Sequence, residues 1–403
     1  MRMFVKLAMI GVSGLAVLQL IRPSIPSGPI AAEIQAPPRV RQILDKDCYS
    51  CHSNQRRLAW FDQIVPSYWL VRHDVLTARE HLNFSTLGAK PGEAQRAALY
   101  EAVNMIQLGA MPLPQFTRLH PEANVTPEEL AELKAYLAPW SAVVNGATAL
   151  NSGAAEGAVK AAESGDISPW PNGARFAKIA WQQAAGEDGL VYPGKFVQVE
   201  FMVKDAQLYR KMDGWGWGRW RGLELKPYGT DPRFVSECTG CHEPVRGDDF
   251  VYTLPITSAK LSRDEVVNNR AATLPQSLPY QPLGWNVETM VVDPKARTMA
   301  ALLGNEVAMQ AVRTGSGSGK SPAYSAGSVL ALVTWSQRED PHWFGGRIPD
   351  KPQSVEFVEA GASGRTGSYR CYDGPLLTEH TFSTEEAAKR ASFLLNLAPA
   401  TLP

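Results

Sequence analysis

The sequence has no excess of charge of either sign, since its 403 residues include 40 basic and 40 acidic side chains. Proteins that bind nucleic acids or anionic membranes through a polybasic surface need a surplus of lysine and arginine, so this balance argues against both classes. The sequence also lacks the polar bias of a disordered chain, because 44% of its residues are hydrophobic and 20% are charged. The length predicts about two to four globular domains.

Long hydrophobic runs are absent apart from one at the N-terminus. Arg2 and Lys6 precede an apolar run from Leu7 to Ile21, and about fifteen residues is short for a membrane-spanning helix but typical of a signal peptide. Ile30–Ala32 is a weak candidate cleavage site. If the run extends upstream past a snorkelling Lys6, the segment is instead an uncleaved anchor. Residues 1–35 are interpreted as a signal peptide or membrane anchor with a linker, and both interpretations predict export to the periplasm.

Cysteine and histidine are scarce, with 5 and 7 residues in the chain, yet four of the cysteines fall into two C-x-x-C-H strings. This string is the attachment motif of c-type haem: the two thiols add across the haem vinyl groups, and the adjacent histidine ligates the iron. Zinc is the alternative for a C-x-x-C pair, but here a histidine follows each pair at once. The sequence therefore predicts two covalently bound c-type haems, held by Cys48, Cys51 and His52 and by Cys238, Cys241 and His242.

The periodicity of the remaining chain changes once. From Val40 to Pro139 the pattern is helical, and Thr126–Glu129 is a capping box that predicts a helix extending to Tyr136. Ala142–Gly165, rich in alanine, glycine, serine and asparagine, is the best candidate for a domain boundary. Beyond it, aromatic and β-branched residues predict strands at Ala174–Trp181, Phe196–Val203 and Phe250–Thr253.

An internal repeat follows this boundary. Gly173–Trp181 matches Gly327–Trp335 position by position, and Glu156–Gly165 matches Glu306–Gly315 upstream. Val199–Val203 and Val355–Val358 are also similar, but only the first copy carries a C-x-x-C-H string. These patterns predict a helical haem-binding domain at 36–141, an α+β haem unit at 145–262 and a haemless copy of that unit at 265–403.

The first haem needs a distal ligand. Met111 lies in Gly109–Pro114, where the prolines cannot continue a helix and so determine how the thioether approaches. A methionine and histidine pair raises the reduction potential and closes the iron, as in an electron carrier, whereas the alternative for Met111 is core filling. His73 and His81 are interpreted as hydrogen-bonding groups at the haem edge or in the core. The full set of candidates before residue 140 is His73, His81, Met105, Met111 and His120.

Four motifs of this region occur together in one family. They are Cys48–His52, Ile64–Asp74, His81–Ser85 and the segment from Met111 to Ala123. In these motifs the region resembles the small haem-binding domain family of exported bacterial cytochromes. The resemblance implies a cytochrome c-like helical fold with the haem in a cleft.

The second string comes late in its unit. The unit begins with strands and continues with Gly214–Trp217, Glu237–His242 and Asp248–Thr253. This order of motifs resembles cytochrome P-460 and the related cytochrome c′-beta proteins. Val203–Gln207 strengthens the match. The resemblance implies an antiparallel-sheet protein with an open distal iron site. Members with a lysine cross-linked to the porphyrin oxidise hydroxylamine, and the c′-beta members bind nitric oxide or carbon monoxide without that bond.

The cross-linking lysine of this family aligns with Lys178. Strand alternation puts Lys178 on a face with Ala174, Phe176 and Ala180, which is mostly apolar and so favours a place near the haem over a solvated strand lysine. The haemless copy has Leu332 there, as expected for a core position.

The chain departs from the family at two further positions. The haem-contacting arginine of the family falls at Ala147, and its distal carboxylate position is Arg233. Hydroxylamine oxidation needs a base near the bound substrate. Asp231 and Glu237 are neighbouring candidates for that base, and loop solvation is the alternative for both.

The remaining aromatic and cysteine residues have simpler interpretations. The cluster of Trp215, Trp217 and Trp220 is predicted to fill the core, because large aromatic side chains in sheet proteins usually do so. The alternative is that these tryptophans wall the haem or relay electrons. Cys371 has no partner in the pattern and is predicted to be a free or buried thiol. His342 and His380 show no ligand spacing.

Together these patterns predict a multidomain chain, in which an all-α cytochrome c-like domain precedes α+β antiparallel-sheet units that resemble cytochrome P-460. Its predicted function is that of an exported dihaem c-type cytochrome. The open haem would oxidise hydroxylamine or a similar small nitrogen compound, and electrons would pass through the first haem to a soluble cytochrome or a membrane quinone system.

The alternative is a non-enzymatic electron carrier or nitric oxide-binding protein. Lys178 favours the enzyme, and Ala147 and Arg233 favour the alternative. The haemless copy would pair with its sister sheet or dock a redox partner, and a homodimer is a further hypothesis.

Overall fold

The computed structural model describes residues 9, 13–55, 57–138, 148–228, 238–256, 270–315, 322–361 and 366–403. The chain divides into two compact units, Met1–Trp140 and Ser141–Pro403. Across the described ranges, no helix is long and apolar enough to cross a membrane. The interpretations of Ala147, Asp231, Arg233 and Glu237 concern positions outside the described residues.

The first unit is helical, as its sequence pattern predicted. Its last helix, α7 (Pro127–Leu137), begins at the predicted capping box, where the Thr126 hydroxyl accepts from the Glu129 amide and the Glu129 carboxylate accepts from the Thr126 amide. The helices are α1 (Pro38–Asp47), α2 (Tyr49–His52), α3 (Ser67–His81), α4 (Phe84–Leu87), α5 (Gly92–Gln107), α6 (Pro114–Thr117) and α7 (Pro127–Leu137), with 3-10 turns at Phe61–Gln63 and Pro121–Ala123.

The second unit is built on one antiparallel sheet, which confirms the predicted fold class. Its spatial order is β1-β2-β3-β6-β7-β8-β9-β10-β11, and β4 pairs with β3 and β5 outside that path. The strands are β1 (Thr148–Glu156), β2 (Arg175–Ala185), β3 (Val191–Lys204), β4 (Trp215–Arg221), β5 (Lys226–Pro227), β6 (Asn286–Asp293), β7 (Thr298–Gly304), β8 (Val329–Glu339), β9 (Arg347–Ala360), β10 (Thr366–Asp373) and β11 (Thr378–His380). The helices are α8 (Ala158–Ser164), α9 (Glu306–Gly315) and α10 (Thr384–Asn396), with 3-10 turns at Arg210–Met212, Glu243–Asp248, Arg270–Ala272 and Pro282–Gly284.

The strands form two blocks in which the order of elements is similar. The first block (residues 148–256) contains β1–β5, and the second block (residues 270–403) contains β6–β11. β2 and β8 both have 11 residues, and β3 and β9 both have 14. The β2–β3 pairing shifts register around Trp181, and the β8–β9 pairing shifts around Trp335. The sequence repeat therefore coincides with a repeat of strand lengths and pairings.

One predicted strand was wrong. Phe250–Thr253 is not a strand, because the backbone turns at Asp249 and Phe250, with φ angles of 49° and 66°. From residue 148 onward, the candidate boundary stretch Ala142–Gly165 contains β1 and α8. Its small residues pair with β2 along the length of β1, so tertiary pairing outweighs the weak strand propensity of alanine and glycine.

In the second block, helix α10 covers the sheet face that corresponds to the Lys178 face of the first block. Leu330, Leu332 and Val358 of that face form one buried cluster with Ala391 and Leu394 of α10. Leu332, which aligns with Lys178, is therefore a core residue, as the sequence repeat predicted.

A buried acid in β6 makes the stability of the sheet unit depend on pH. Glu288 is 3% exposed, and burial raises the pKa of Glu288 to about 7, although its carboxylate accepts a hydrogen bond from the Tyr324 hydroxyl. The folded unit thus binds this proton more tightly than the unfolded chain. The free energy of unfolding should therefore fall by up to about 3 kcal/mol as the pH rises from 4 to 8. Urea denaturation across this range should show the slope in the wild type and in Glu379→Gln, an exposed control, but not in Glu288→Gln.

Candidate haem sites

The first C-x-x-C-H string folds as one helical turn. The amides of Cys51 and His52 donate to the Cys48 carbonyl at 3.2 and 2.9 Å, so the two thiols and the imidazole share one face of α2. Both cysteines are half-buried and neither forms a disulfide. Burial raises the pKa of Cys48 to about 12 and that of Cys51 to about 11.

The imidazole of His52 is held by a backbone carbonyl from a distant part of the chain. Its Nδ1 lies 3.0 Å from the Leu82 carbonyl oxygen, which can only accept, so Nδ1 carries the proton. Burial lowers the pKa of His52, which keeps the ring neutral and leaves a lone pair on Nε2. A histidine whose second nitrogen donates to a carbonyl is the usual form of a metal ligand.

The segment around Leu82 is itself fixed by side chains. The Asn83 amide oxygen caps α4 by accepting from the Ser85 amide at 3.0 Å, and its nitrogen donates to Asn54 at 2.9 Å. Phe84 stacks on Tyr49 at 5.3 Å and meets the His52 ring edge-on at 6.5 Å. The predicted motif His81–Ser85 thus supplies the carbonyl and the packing that orient His52.

The structure separates the candidates for the distal ligand. His73 and His81 are exposed, which contradicts a core role for either side chain. His120 is buried, but its Nε2 lies 2.9 Å from Asp62 and its Nδ1 lies 3.3 Å from Glu122. Since carboxylates engage both nitrogens of His120, this residue is not free to ligate iron.

Met105 and Met111 remain as distal candidates, and both are half-buried. The Met111 amide donates to the Met105 carbonyl at 3.1 Å, which fixes the loop after α5. We expect Met111→Ala to lower the reduction potential of the first haem, because a thioether ligand raises that potential. Spectroscopic redox titration checks this, and His120→Asn is the control that should leave the potential unchanged. An unchanged potential in Met111→Ala would rule Met111 out.

The second string has the same arrangement on an unrelated scaffold. Cys238–His242 is helical, and the His242 Nδ1 lies 2.7 Å from the Phe250 carbonyl. The positive φ angles of Asp249 and Phe250 turn that carbonyl toward the ring. Burial lowers the pKa of His242, so Nε2 again carries the lone pair.

Aromatic side chains enclose the His242 ring. Trp217 lies 4.7 Å from it, and Tyr252 lies 5.0 Å away and donates its hydroxyl to the Cys241 carbonyl at 2.5 Å. Trp215 is fully buried, as predicted for core, and Trp220 packs edge-on against Phe201. Unlike Trp215 and Trp220, Trp217 contacts the ring of His242, the candidate iron ligand.

A buried ion pair anchors the turn that carries Phe250. The Lys204 ammonium lies 2.8 Å from both carboxylate oxygens of Asp249. Asp249 also accepts from the Trp215 indole at 3.1 Å and from the Trp170 amide at 2.9 Å. The sheet, through Lys204 and Trp215, therefore holds the segment that orients His242.

The structure adds charged neighbours to the predicted environment of Lys178. Its side chain is 59% exposed and pairs with Glu200 at 3.1 Å, and Glu200 also accepts from Arg219 at 2.7 Å. The three residues face one another across β2, β3 and β4. Period-2 alternation identified the apolar neighbours along β2, namely Ala174, Phe176 and Ala180, but not the charged partners across the sheet.

This charged row lies within electrostatic range of the second string. Burial is the largest cause that lowers the pKa of His242. The positive charge of Lys178 lowers this pKa further, whereas the negative charge of Glu200 raises it. Burial opposes ionisation of Glu200, but Lys178 and Arg219 outweigh it and lower the pKa of Glu200. Glu200 is therefore a carboxylate at neutral pH and a weak base.

Comparison with protein families agrees with this geometry. Residues 13–139 match the family model of the haem-binding domain, and residues 151–253 match the family model of cytochrome P-460. The chain carries a haem-binding domain followed by a cytochrome P-460 domain. It is a haem protein. No curated protein matches the chain, and the cytochrome P-460 match ends before the second block.

Sequence reasoning missed the groups that support the two strings. Leu82 and Phe250 lay inside the motifs His81–Ser85 and Asp248–Thr253, but no role was predicted for their carbonyls, and none was predicted for the side chains of Glu200 and Arg219. Asp249 also lay inside the motif Asp248–Thr253 without a predicted role. The available signal was a charged residue inside an apolar run, and Glu200 within Val199–Val203 is such a residue.

Proposed function

We propose that this protein is an exported dihaem c-type cytochrome that binds a small nitrogen compound at the second haem and carries electrons through the first. One observation carries the proposal. In both strings a neutral histidine donates Nδ1–H to a backbone carbonyl, at 3.0 Å for His52 and 2.7 Å for His242, which leaves Nε2 for the iron.

Haem iron would supply the one-electron chemistry and the coordination position. The chain would supply attachment through Cys48, Cys51, Cys238 and Cys241, and orientation through His52 and His242. Met111 would complete the first site. Near the second site, the charged row formed by Lys178, Glu200 and Arg219 would present charges and hydrogen-bonding groups.

The compartment and the acceptor belong to the same proposal. Attachment of c-type haem and the apolar run Leu7–Ile21 both support a periplasmic protein. A soluble cytochrome or a membrane quinone system would accept the electrons, and nitric oxide or hydroxylamine would be the ligand of the second haem.

Hydroxylamine oxidation is the second candidate, and Lys178 is the residue that favours it. Cross-linking to the porphyrin would compete with the ion pair in which the Lys178 Nζ lies 3.1 Å from the Glu200 carboxylate. Arg233 at the family's distal carboxylate position also favours ligand binding over proton abstraction. The ion pair therefore favours a binding protein of the c′-beta kind.

Mass and absorption spectra of the wild type and Lys178→Ala test the choice. We expect both proteins to have the same mass apart from the substituted side chain, to show ordinary c-type spectra, and to bind nitric oxide when reduced. Lys178→Arg is the matched control, since it keeps the charge and cannot form the same bond. A shifted spectrum that Lys178→Ala abolishes, together with hydroxylamine-dependent reduction of a dye, would establish the oxidase instead.

A further inference from the structure

The segment between the apolar N-terminal run and α1 is part of the folded haem-binding domain. Ile25 is 5% exposed and Ile34 is 3% exposed. Ile25 packs in one cluster with Val65, Tyr68 and Val75 of the α3 region. A linker that is discarded after export has no reason to fill the core of the mature protein.

Side chains of α3 hold this segment along its length. Tyr68 donates to the Pro23 carbonyl at 2.6 Å, Arg72 to Ser24 at 3.0 Å, and Arg79 to Pro26 at 2.8 Å. Residues 68, 72 and 79 share one face of the helix. Prolines suit such a strap, because their carbonyls accept hydrogen bonds while they have no N–H that needs a partner.

The candidate cleavage site is paired with the segment that supports His52. The amides of Ala31 and Ala32 both donate to the Ser85 carbonyl, at 3.0 and 3.2 Å, and the Gly88 amide donates to the Ala32 carbonyl at 2.9 Å. A Cβ at Gly88 would lie 2.4 Å from the Glu33 carbonyl, so only glycine allows this approach. Cleavage at Ile30–Ala32 would remove Ile25 and expose the face of α3 it covers.

The strap continues upstream into the apolar run. The Gln19 side chain donates to the Val65 carbonyl at 3.1 Å and accepts from the Val65 amide at 3.0 Å. The Trp69 indole donates to the Ile21 carbonyl at 2.8 Å. Around this point large apolar side chains face solvent, with Leu20 84%, Ile21 58% and Leu70 54% exposed. Exposed apolar side chains beside a tryptophan are typical of a surface at a membrane interface.

We propose that the leader is not cleaved: the apolar run before residue 19, extended upstream past a snorkelling Lys6, stays attached as a membrane anchor, and residues 19–34 are a structural strap that seats the haem-binding domain at the bilayer. Arg2 and Lys6 before the run would keep the N-terminus on the cytoplasmic side. This inference does not depend on what the second haem binds.

The intact mass and location of the full-length protein give the direct test. After expression in a bacterium that matures c-type cytochromes, we expect a mass that includes Met1–Ile21 and retention in the membrane fraction after an alkaline carbonate wash. A mature chain that lacks Leu7–Ile21, released with the soluble periplasmic proteins, would overturn the proposal.

A pair of isoleucine variants tests the strap independently. Ile25→Ala should lower the thermal midpoint of the haem-binding domain in the mature protein by about 8 °C or more. Ile30→Ala is the matched control, because Ile30 is 56% exposed and should leave the midpoint unchanged. If the leader were cleaved at Ile30–Ala32, the mature protein would not contain Ile25, and Ile25→Ala would have no effect. That outcome would refute the strap.

Discussion

Replacing Cys238 and Cys241 together by serine should halve the haem content of the purified protein. We expect about two haems per wild-type chain and about one in this variant, because thioether bonds would be the covalent link at each site. The Cys48→Ser/Cys51→Ser variant should show the same loss from the other site. The alkaline pyridine spectrum, divided by protein concentration, measures the ratio.

Cys371→Ser is the matched control for both pairs. Cys371 is buried in β10 and forms no disulfide, and burial raises the pKa of Cys371 to about 11. This control should keep the wild-type haem content. If the Cys238 and Cys241 variant kept two haems, or if the wild type contained only one, the dihaem proposal would fail.

Asp249→Asn should destabilise the sheet unit by about 3 kcal/mol and disturb the second haem site. The substitution leaves the Lys204 ammonium, which is 5% exposed, without its carboxylate. Asparagine tolerates the φ angle of 49° at this position better than most residues do, so the result reports mainly the lost charge. Urea denaturation measures the free energy, and the absorption spectrum measures the haem.

An exposed ion pair of the same unit provides the comparison. Lys389 and Glu385 lie 2.7 Å apart with side chains 73% and 77% exposed, and Glu385→Ala should cost less than about 1 kcal/mol. Because Asp249 precedes Phe250, whose carbonyl accepts from His242, only Asp249→Asn should also change the second haem spectrum. Equal losses in the two variants would contradict the role assigned to Lys204 and Asp249.

Short-range patterns in the sequence predicted the local structure well. Thr126–Glu129 predicted the start of α7, because a capping box satisfies amides within three residues of one another. Both C-x-x-C-H strings form helical turns. The prediction of a strand at Phe250–Thr253 was wrong because a tertiary contact outweighs local propensity there. The aromatic and β-branched residues favour a strand, but the turn at Asp249 and Phe250 places the Phe250 carbonyl against His242.

The environment of Lys178 was beyond the sequence because alternation along one strand does not reveal the neighbours across it. Glu200 and Arg219 meet Lys178 only because of the register of β2, β3 and β4. Likewise, the proline-rich linker after Ile21 had no periodicity that could assign it to the core. Its carbonyls acquire partners only when α3 lies beside them.

The sequence by itself therefore determined the features that contiguous residues encode. These are two helical turns with C-x-x-C-H strings, a helical unit followed by an antiparallel-sheet unit, and an internal repeat. Only the tertiary structure decided which backbone carbonyls contact the histidines of the two strings. Leu82 is 30 residues from His52 and Phe250 is 8 residues from His242, yet each carbonyl determines which imidazole nitrogen is left for iron. Hydrogen bonds depend on distance and direction in space, and chain separation does not specify either.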